Sequence, residues 1–480
     1  MKRLRLLLAN IGHRGSYRLV SPPLGLLYIA AYVRSRMDVD ILIVDQRAED
    51  CSHESLIARA KDFAPDVIGI TCFTSHAHLL DPLTRAFRAA APDAMIALGG
   101  PHVSAVGRIA LEECPADIAV AGEGELPLEA VLQARRDGEG LEGVPGLIWR
   151  DRAGAIVVNP GETPTIANLD DLPFPAYDLI DVRRYWKLWS QTPLPPPRKF
   201  LAMFTSRGCP YKCIYCHKVF GKRFRGHSAE RIVAEIEHYQ RAFGIDEVEI
   251  FDDIFNFNKQ RVLEFSELVR QKDIRIKIAF PNSLRSDLLT EDVLDALHRA
   301  GMYISAFALE TGSPRMQQYI GKRLNIDRYL QAVEWAARRR IFTYGFMMLG
   351  FPTETIEEVR QTLDTACNSR LHAALFYRVV PYPHTDLWRL MEKNHPEKIA
   401  AIQFADSDYT YRPTVNCSDI PEEALAREVR RGVMRFYGNP LRLLRIARDY
   451  PKRHCLPLYL PRVLFHLKPR HPAECPVSHD

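Results

Sequence analysis

The sequence predicts an α/β protein in two parts, a doubly wound parallel sheet followed by a partial (β/α)6 barrel of the TIM type. Three observations lead there. Nearly continuous apolar runs alternate with helix-patterned stretches through the first 140 residues, the alternation resumes near residue 200, and a proline-rich stretch, QTPLPPPRKF, separates the two series.

In the first series, strands are expected at residues 4–11, 39–45, 66–73, 94–100 and 117–121, with helices at 24–36, 55–63, 79–91 and 106–113. Strands this apolar are buried on both faces and need helices above and below. Residues 144–159 read as a hairpin turning at 151–154. The prolines of 160–199 exclude a continuous helix or central strand, so this stretch is read as the linker. The second series places strands at 200–205, 247–251, 274–280, 304–309, 343–349 and 374–379. Its helices fall at 229–242, 259–271, 290–300, 326–340 and 355–368, with a short piece after Gly312. Six units fall short of the eight in a closed barrel and leave a lateral mouth for a large substrate. The expected boundaries are 1–140, 141–199, 200–415 and a basic helical extension over 416–480.

The 480 residues are 47% hydrophobic and 26% charged, which excludes collagen-like, disordered and small disulfide-scaffold proteins. The start, MKRLRLLLANIGHRG, has no cleavage pattern, and no apolar run approaches the roughly 20 residues that span a bilayer. A cytoplasmic protein is the expectation. The net charge of +5 is concentrated late, with twelve Lys/Arg against Glu428 and Asp449 between Arg427 and Arg470. A basic amphipathic helix there suits an anionic membrane surface; a helix capping the barrel with a solvated basic face is the other reading. No stacking platform or recognised motif accompanies the charge, so nucleic acid is not an expected partner.

Ten cysteines without a signal peptide point to reduced thiols. Seven are scattered. The others, Cys209, Cys213 and Cys216, follow the first strand of the second series at i, i+4 and i+7. In a loop, three thiolates at this spacing converge on a cubane and leave its fourth iron free for a substrate or cofactor. Structural zinc wants four closed ligands, and His217 is poorly placed to be the fourth. Three small core cysteines on one helical face would share the spacing, but Gly208, Pro210 and Lys212 argue against a buried helix. In the first series, small residues follow the strands at Thr74-Ser75-His76, Gly99-Gly100-Pro101-His102 and Gly122-Glu123-Gly124-Glu125. Ligands of such sheets lie outside these strand ends, where small residues permit close approach, although glycine also simply turns a chain.

With Tyr215 before the third cysteine, the run resembles the CxxxCxΦC motif of the radical S-adenosylmethionine enzymes. The resemblance implies a [4Fe–4S] cluster on the three cysteines. It also implies S-adenosylmethionine on the open iron and reductive cleavage to a 5′-deoxyadenosyl radical. Later segments resemble the family's S-adenosylmethionine-binding stretches: Asp252 and Asp253 after the second strand, Glu310, Gly312 and Ser313 after the fourth, and Gly350 after the fifth. Arg285, after the third strand, is a candidate partner for the carboxylate. The first series resembles the Rossmann-like domain of the cobalamin-binding subgroup. That places Thr74, Ser75, Gly99, Gly100, His102, Gly122 and Glu123 against the corrin. The D-x-H-x-x-G motif is absent, as is usual in the subgroup, which leaves His76, His78 and His102 as candidates near the lower cobalt face. Pro381-Tyr382-Pro383-His384-Thr385 has His384 where the family commonly has Gly, a feature of substrate choice or of a surface turn.

The resemblance implies methyl transfer from methylcobalamin to an unactivated carbon of a natural-product or lipid substrate. The implied reductant is a flavodoxin or ferredoxin. Cyclisation or rearrangement with the same cofactors is the alternative, and a non-catalytic cobalamin sensor is the reading from another class.

Overall fold

In the computed structural model, residues 3–12, 19–405 and 415–457 are described. The first sheet comprises β1 (Leu4–Asn10), β2 (Val39–Asp45), β3 (Val67–Thr71), β4 (Met95–Gly99), β5 (Ile118–Ala119), β6 (Ile148–Arg150) and β7 (Ile156–Val158). Their order is β2-β1-β3-β4-β5-β6-β7, with β1 to β5 parallel. On β1, the consecutive residues Leu6, Leu7, Leu8 and Ala9 are all buried, so both faces are covered, as the unbroken apolar run demands. Strand order reverses beside β1, so the crevice lies beyond the carboxyl ends of β1 and β3. The expected hairpin forms but does not stand in a linker. Ile118 pairs with Trp149, so β6 and β7 extend the first sheet, and its domain runs past residue 140.

The barrel strands are β8 (Phe200–Met203), β11 (Glu247–Ile250), β12 (Lys277–Leu284), β13 (Met302–Glu310), β14 (Phe342–Leu349) and β15 (Ala373–Arg378). A two-residue ladder, β9 (Ser206–Arg207) with β10 (Arg225–Gly226), stands above β8. The six barrel strands are all parallel in the order β15-β14-β13-β12-β11-β8, an open barrel as expected. Side-chain caps fix where the following helices begin: Ser228, Asn258 and Asn325 each accept an N–H from three residues on, and Thr355 forms a capping box with Glu358. Each cap sits on the carboxyl rim of the barrel and sets the length of a rim loop.

The proline-rich stretch is a packed strap rather than a free linker. Tyr177, Tyr185 and Leu194 are buried; the Tyr177 hydroxyl donates to the Ala202 carbonyl at 2.7 Å, and that of Tyr185 to Asp45 at 2.7 Å. At the other end, helix Pro440–Asp449 closes on the barrel. Buried Arg442 donates to the carbonyls of Cys367 (2.6 Å) and Ser369 (3.2 Å), capping the end of helix Ile356–Asn368. The tail therefore packs on the barrel through Arg442, while Leu441 and Leu444 face outward; Arg462 and the rest of 458–480 lie outside the described residues. No described helix is long and apolar enough to cross a membrane.

A candidate cofactor site at two sheet rims

The loops after β3, β4 and β5 bring most of the predicted corrin contacts into one row. Thr74 and Ser75 open a 3-10 turn, Gly99 ends β4, Gly100 precedes the next helix, and His102 lies in that helix. Gly100 has φ +92°, and a Cβ there would stand 2.4 Å from Thr71 Oγ1 and 2.9 Å from the Cys72 nitrogen. Only glycine fits. The His102 ring faces Thr74 Oγ1 at 3.4 Å through Nδ1, its Nε2 is buried with no protein partner, and burial holds its pKa down at about 4. A neutral imidazole beside small backbone loops suits an uncharged macrocycle edge. His76 is buried next to Gly12 at the crevice, whereas His78 is exposed. Phe73, 46% exposed on the same rim, was not singled out by sequence reasoning; an exposed Phe at a strand end was its only signal.

Glu123 departs from expectation. It is not free for a ligand: it pairs with Arg207 at 2.6 Å and with Arg225, while Glu125 takes the other arm of Arg207 at 2.6 Å. All four side chains are buried. Burial alone would lower the Arg207 pKa, but Glu125 and Glu123 outweigh it and hold the guanidinium more firmly charged than usual. Arg207 lies two residues before Cys209, so this cluster bolts the first domain to the cysteine loop. Gly122, at φ +94°, lies beside the Val219 carbonyl in ordinary contact, its Cβ position 3.8 Å away.

The cysteine loop is held on several sides. Gly208, at φ +82°, passes so close to the 220–223 turn that a Cβ would meet the Phe220 carbonyl at 3.0 Å. Ile214 donates to the Ile320 carbonyl at 3.0 Å and accepts from Leu387 at 2.8 Å. A Cβ on Gly321 would stand 2.6 Å from the Lys212 carbonyl. Burial raises the thiol of Cys209 and pushes that of Cys216 up to about 12, with Lys222 partly relieving both. Among the described residues no three His, Cys, Asp or Glu side chains gather round one point as a single ion requires. Cys209, Cys213 and Cys216 are partly buried along the loop, and in a cubane each thiolate takes a different iron.

Around the thiols, Tyr215 donates to Glu310 at 3.3 Å, and Lys322 bonds the same carboxylate at 2.9 Å. Glu310 sits at φ +65°, a left-handed kink that ends β13. Lys322 and Phe351, whose ring is 5.9 Å from that of Tyr215, are contributors that no spacing in the sequence marks. Asp253 borders the thiols: burial raises its pKa against the pull of His217 and Lys222. Its neighbour Asp252 is instead fully engaged, accepting from the Thr205 nitrogen, Thr205 Oγ1 and Ser206 Oγ, each at 2.6 Å. It pins the turn that launches the cysteine loop and has no oxygen to spare. Arg285 is likewise engaged, paired with Asp287 at 2.9 Å and lying 3.4 Å over the Tyr211 ring. Gly312 and Ser313 pack on helix Ile356–Asn368, where Ser313 bonds Glu358 at 2.7 Å, rather than facing the mouth. Gly350, at φ +90°, and Phe351 donate to the buried carboxylate of Glu354 at 2.6 and 3.1 Å. His384 is an exposed turn residue at φ +59°, a backbone conformation that glycine adopts without strain.

Two family models match in the same order as the two rims: the B12 binding domain over residues 13–132 and the radical SAM superfamily over residues 203–366. The chain belongs to the cobalamin-binding radical S-adenosylmethionine enzymes, whose cofactors are cobalamin, S-adenosylmethionine and a [4Fe–4S] cluster. Among its relatives is an uncharacterized methyltransferase of Pyrococcus horikoshii, 32% identical over 427 residues, covering 88% of this chain and 89% of that one. The fold is shared with the methyltransferase TsrM of Kitasatospora setae, solved with cobalamin and a [4Fe–4S] cluster bound, at 17% identity and TM-score 0.70, over 92% of this chain and 90% of that one. It is shared too with the cobalamin-dependent enzyme OxsB, at 18% identity and TM-score 0.66; the match covers 89% of this chain but 60% of the OxsB chain.

Proposed function

We propose that the protein is a cytoplasmic C-methyltransferase acting on an unactivated carbon of a small natural-product or lipid substrate, with electrons from a flavodoxin or ferredoxin. The observation that carries this reading is the buried Glu123–Arg207–Glu125–Arg225 cluster, which joins the β5 loop to the chain two residues before Cys209. The cluster sets the loop after β5 beside the chain that leads into the cysteines. When bound, the cofactors supply the electron, the carbon-centred radical and the methyl group.

The chain's own part is positional. Cys209, Cys213 and Cys216 would hold the cluster, Asp253 would take the methionyl ammonium, and the Tyr215–Glu310–Lys322 group fixes the wall beside them. Gly99, Gly100 and His102 would border the corrin. Tyr344, Phe346 and Tyr377 line the inner barrel wall, with Phe346 and Tyr377 in ring contact at 5.7 Å, and shield the reacting carbon from water.

The test is anaerobic turnover with S-adenosylmethionine labelled in its methyl group, offered with candidate substrates. Label in the product together with 5′-deoxyadenosine supports the reading. 5′-Deoxyadenosine with an unlabelled, cyclised or rearranged product would assign the alternative, and corrinoid binding without 5′-deoxyadenosine would assign a sensor.

A further inference from the structure

The described end of the chain turns its helix inside out. In helix Pro440–Asp449, Leu441 is 73% exposed, Leu444 67% and Leu443 47%, and Met434 in the last turn of helix Glu422–Tyr437 is 48% exposed. Single exposed leucines are ordinary on a protein surface, but three within four residues are not. The inward side is the polar one. Arg442 is buried against the carbonyls of Leu371, Cys367 and Ser369, with its guanidinium 3.5 Å over the Phe436 ring, and Asp449 is held by Arg340 at 2.8 Å and His372 at 3.2 Å. An amphipathic helix that packs on a core does the reverse. Folding therefore gains nothing from Leu441 and Leu444 where they stand.

Charge says what would cover them. Between Ala424 and Pro457 the acids are Glu428 and Asp449, both buried, the former bonded to Arg360 at 2.8 Å. Arg427, Arg430, Arg431 and Arg453 are exposed on the same segment, while Arg435 is neutralised by Asp364. A second copy of this surface would bring like charge against like. In sequence, residues 458–480 carry Arg462, Lys468 and Arg470 against Glu474 and Asp480.

We propose that this surface docks peripherally on an anionic lipid bilayer, with the leucines entering the headgroup boundary and the arginines pairing with lipid phosphates. The proposal does not depend on the methyltransferase reading, because binding is measured without turnover.

The test is co-sedimentation of the full-length holoenzyme with phosphatidylcholine vesicles, pure or with about 25% phosphatidylglycerol, at about 0.1 M and about 1 M salt. Wild type is expected to bind the anionic vesicles at least tenfold more tightly than the neutral ones, and to release at high salt. Arg430→Ala/Arg431→Ala should weaken binding about thirtyfold, at roughly fivefold per charge. Leu441→Ser/Leu444→Ser should weaken it at least tenfold. All four side chains are exposed, so both variants should keep the wild-type unfolding temperature, which separates lost docking from lost folding. No binding to either vesicle, equal binding to both, or wild-type binding by both variants would overturn the proposal. So would a concentration-dependent dimer in light scattering that the leucine variant abolishes, since the occupant would then be a second copy.

Discussion

Replacing Arg207 by leucine tests how the two domains are joined. The guanidinium pairs with Glu123 and Glu125 at 2.6 Å each, and all three side chains are buried. Arg225 would remain on Glu123, so Glu125 is the group left as an uncompensated buried charge. Breaking such a pair from one side costs about 3–5 kcal/mol, because the stranded carboxylate loses its partner without regaining water. The cost falls on one interface, so it should appear as local opening rather than as a single global transition. Hydrogen exchange of peptides covering residues 119–128 is the assay. The variant should exchange there faster by roughly two to three and a half powers of ten, while β1 and β3 in the core of the first sheet stay protected. Adding Glu125→Gln should recover part of the loss, with a coupling of at least about 1.5 kcal/mol in a double-mutant cycle. Exchange within threefold of wild type, or strictly additive single variants, would refute the reasoning.

Three further outcomes follow from single sites. Gly100→Ala places a methyl group 2.4 Å from Thr71 Oγ1 at φ +92°, so corrinoid bound after reconstitution should fall at least tenfold while iron content stays unchanged. Gly321→Ala drives a methyl group against the Lys212 carbonyl at φ +69°, and should do the opposite, lowering bound iron and sulfide while sparing corrinoid. Burial holds the carboxyl of Glu354 up at about 7 against an ordinary 4.5, so the fold keeps a proton that the unfolded chain has released. Stability should therefore decline as pH rises from about 4.5 through 7, by at most about 3 kcal/mol, and chemical denaturation of Glu354→Gln across that range should show a flatter profile.

Much of this architecture was legible because it rests on local pattern. Unbroken apolar runs such as Leu6–Leu7–Leu8 leave no alternative to a doubly covered strand, and the cysteine spacing is a property of one short loop. What the sequence did not disclose depends on partners far along the chain. Glu123 sits on a rim where ligand contacts are expected, but its partners Arg207 and Arg225 are 84 and 102 residues away. Asp252 and Asp253 are indistinguishable as neighbours; in the loop beyond β11 one bonds back to the turn at Thr205 and Ser206 and the other lies beside the thiols. The hairpin was visible, but not the edge it extends, because pairing with β5 is a tertiary choice. Arg442 is one of twelve late basic residues in the sequence but the helix's buried anchor in the fold, a role fixed by the carbonyls of a helix some 75 residues earlier.

The central claim is that one chain holds both cofactor systems on adjoining rims. It is tested most directly by anaerobic reconstitution of wild type and of the Cys209→Ala/Cys213→Ala/Cys216→Ala variant. Iron, sulfide, corrinoid and 5′-deoxyadenosine are then measured in each preparation. About four irons and one corrinoid per wild-type chain are expected, with 5′-deoxyadenosine formed on reduction; the variant should keep the corrinoid and lose the rest. A wild-type protein that takes up the cluster but no corrinoid, or a variant that keeps its iron and its activity, would contradict it.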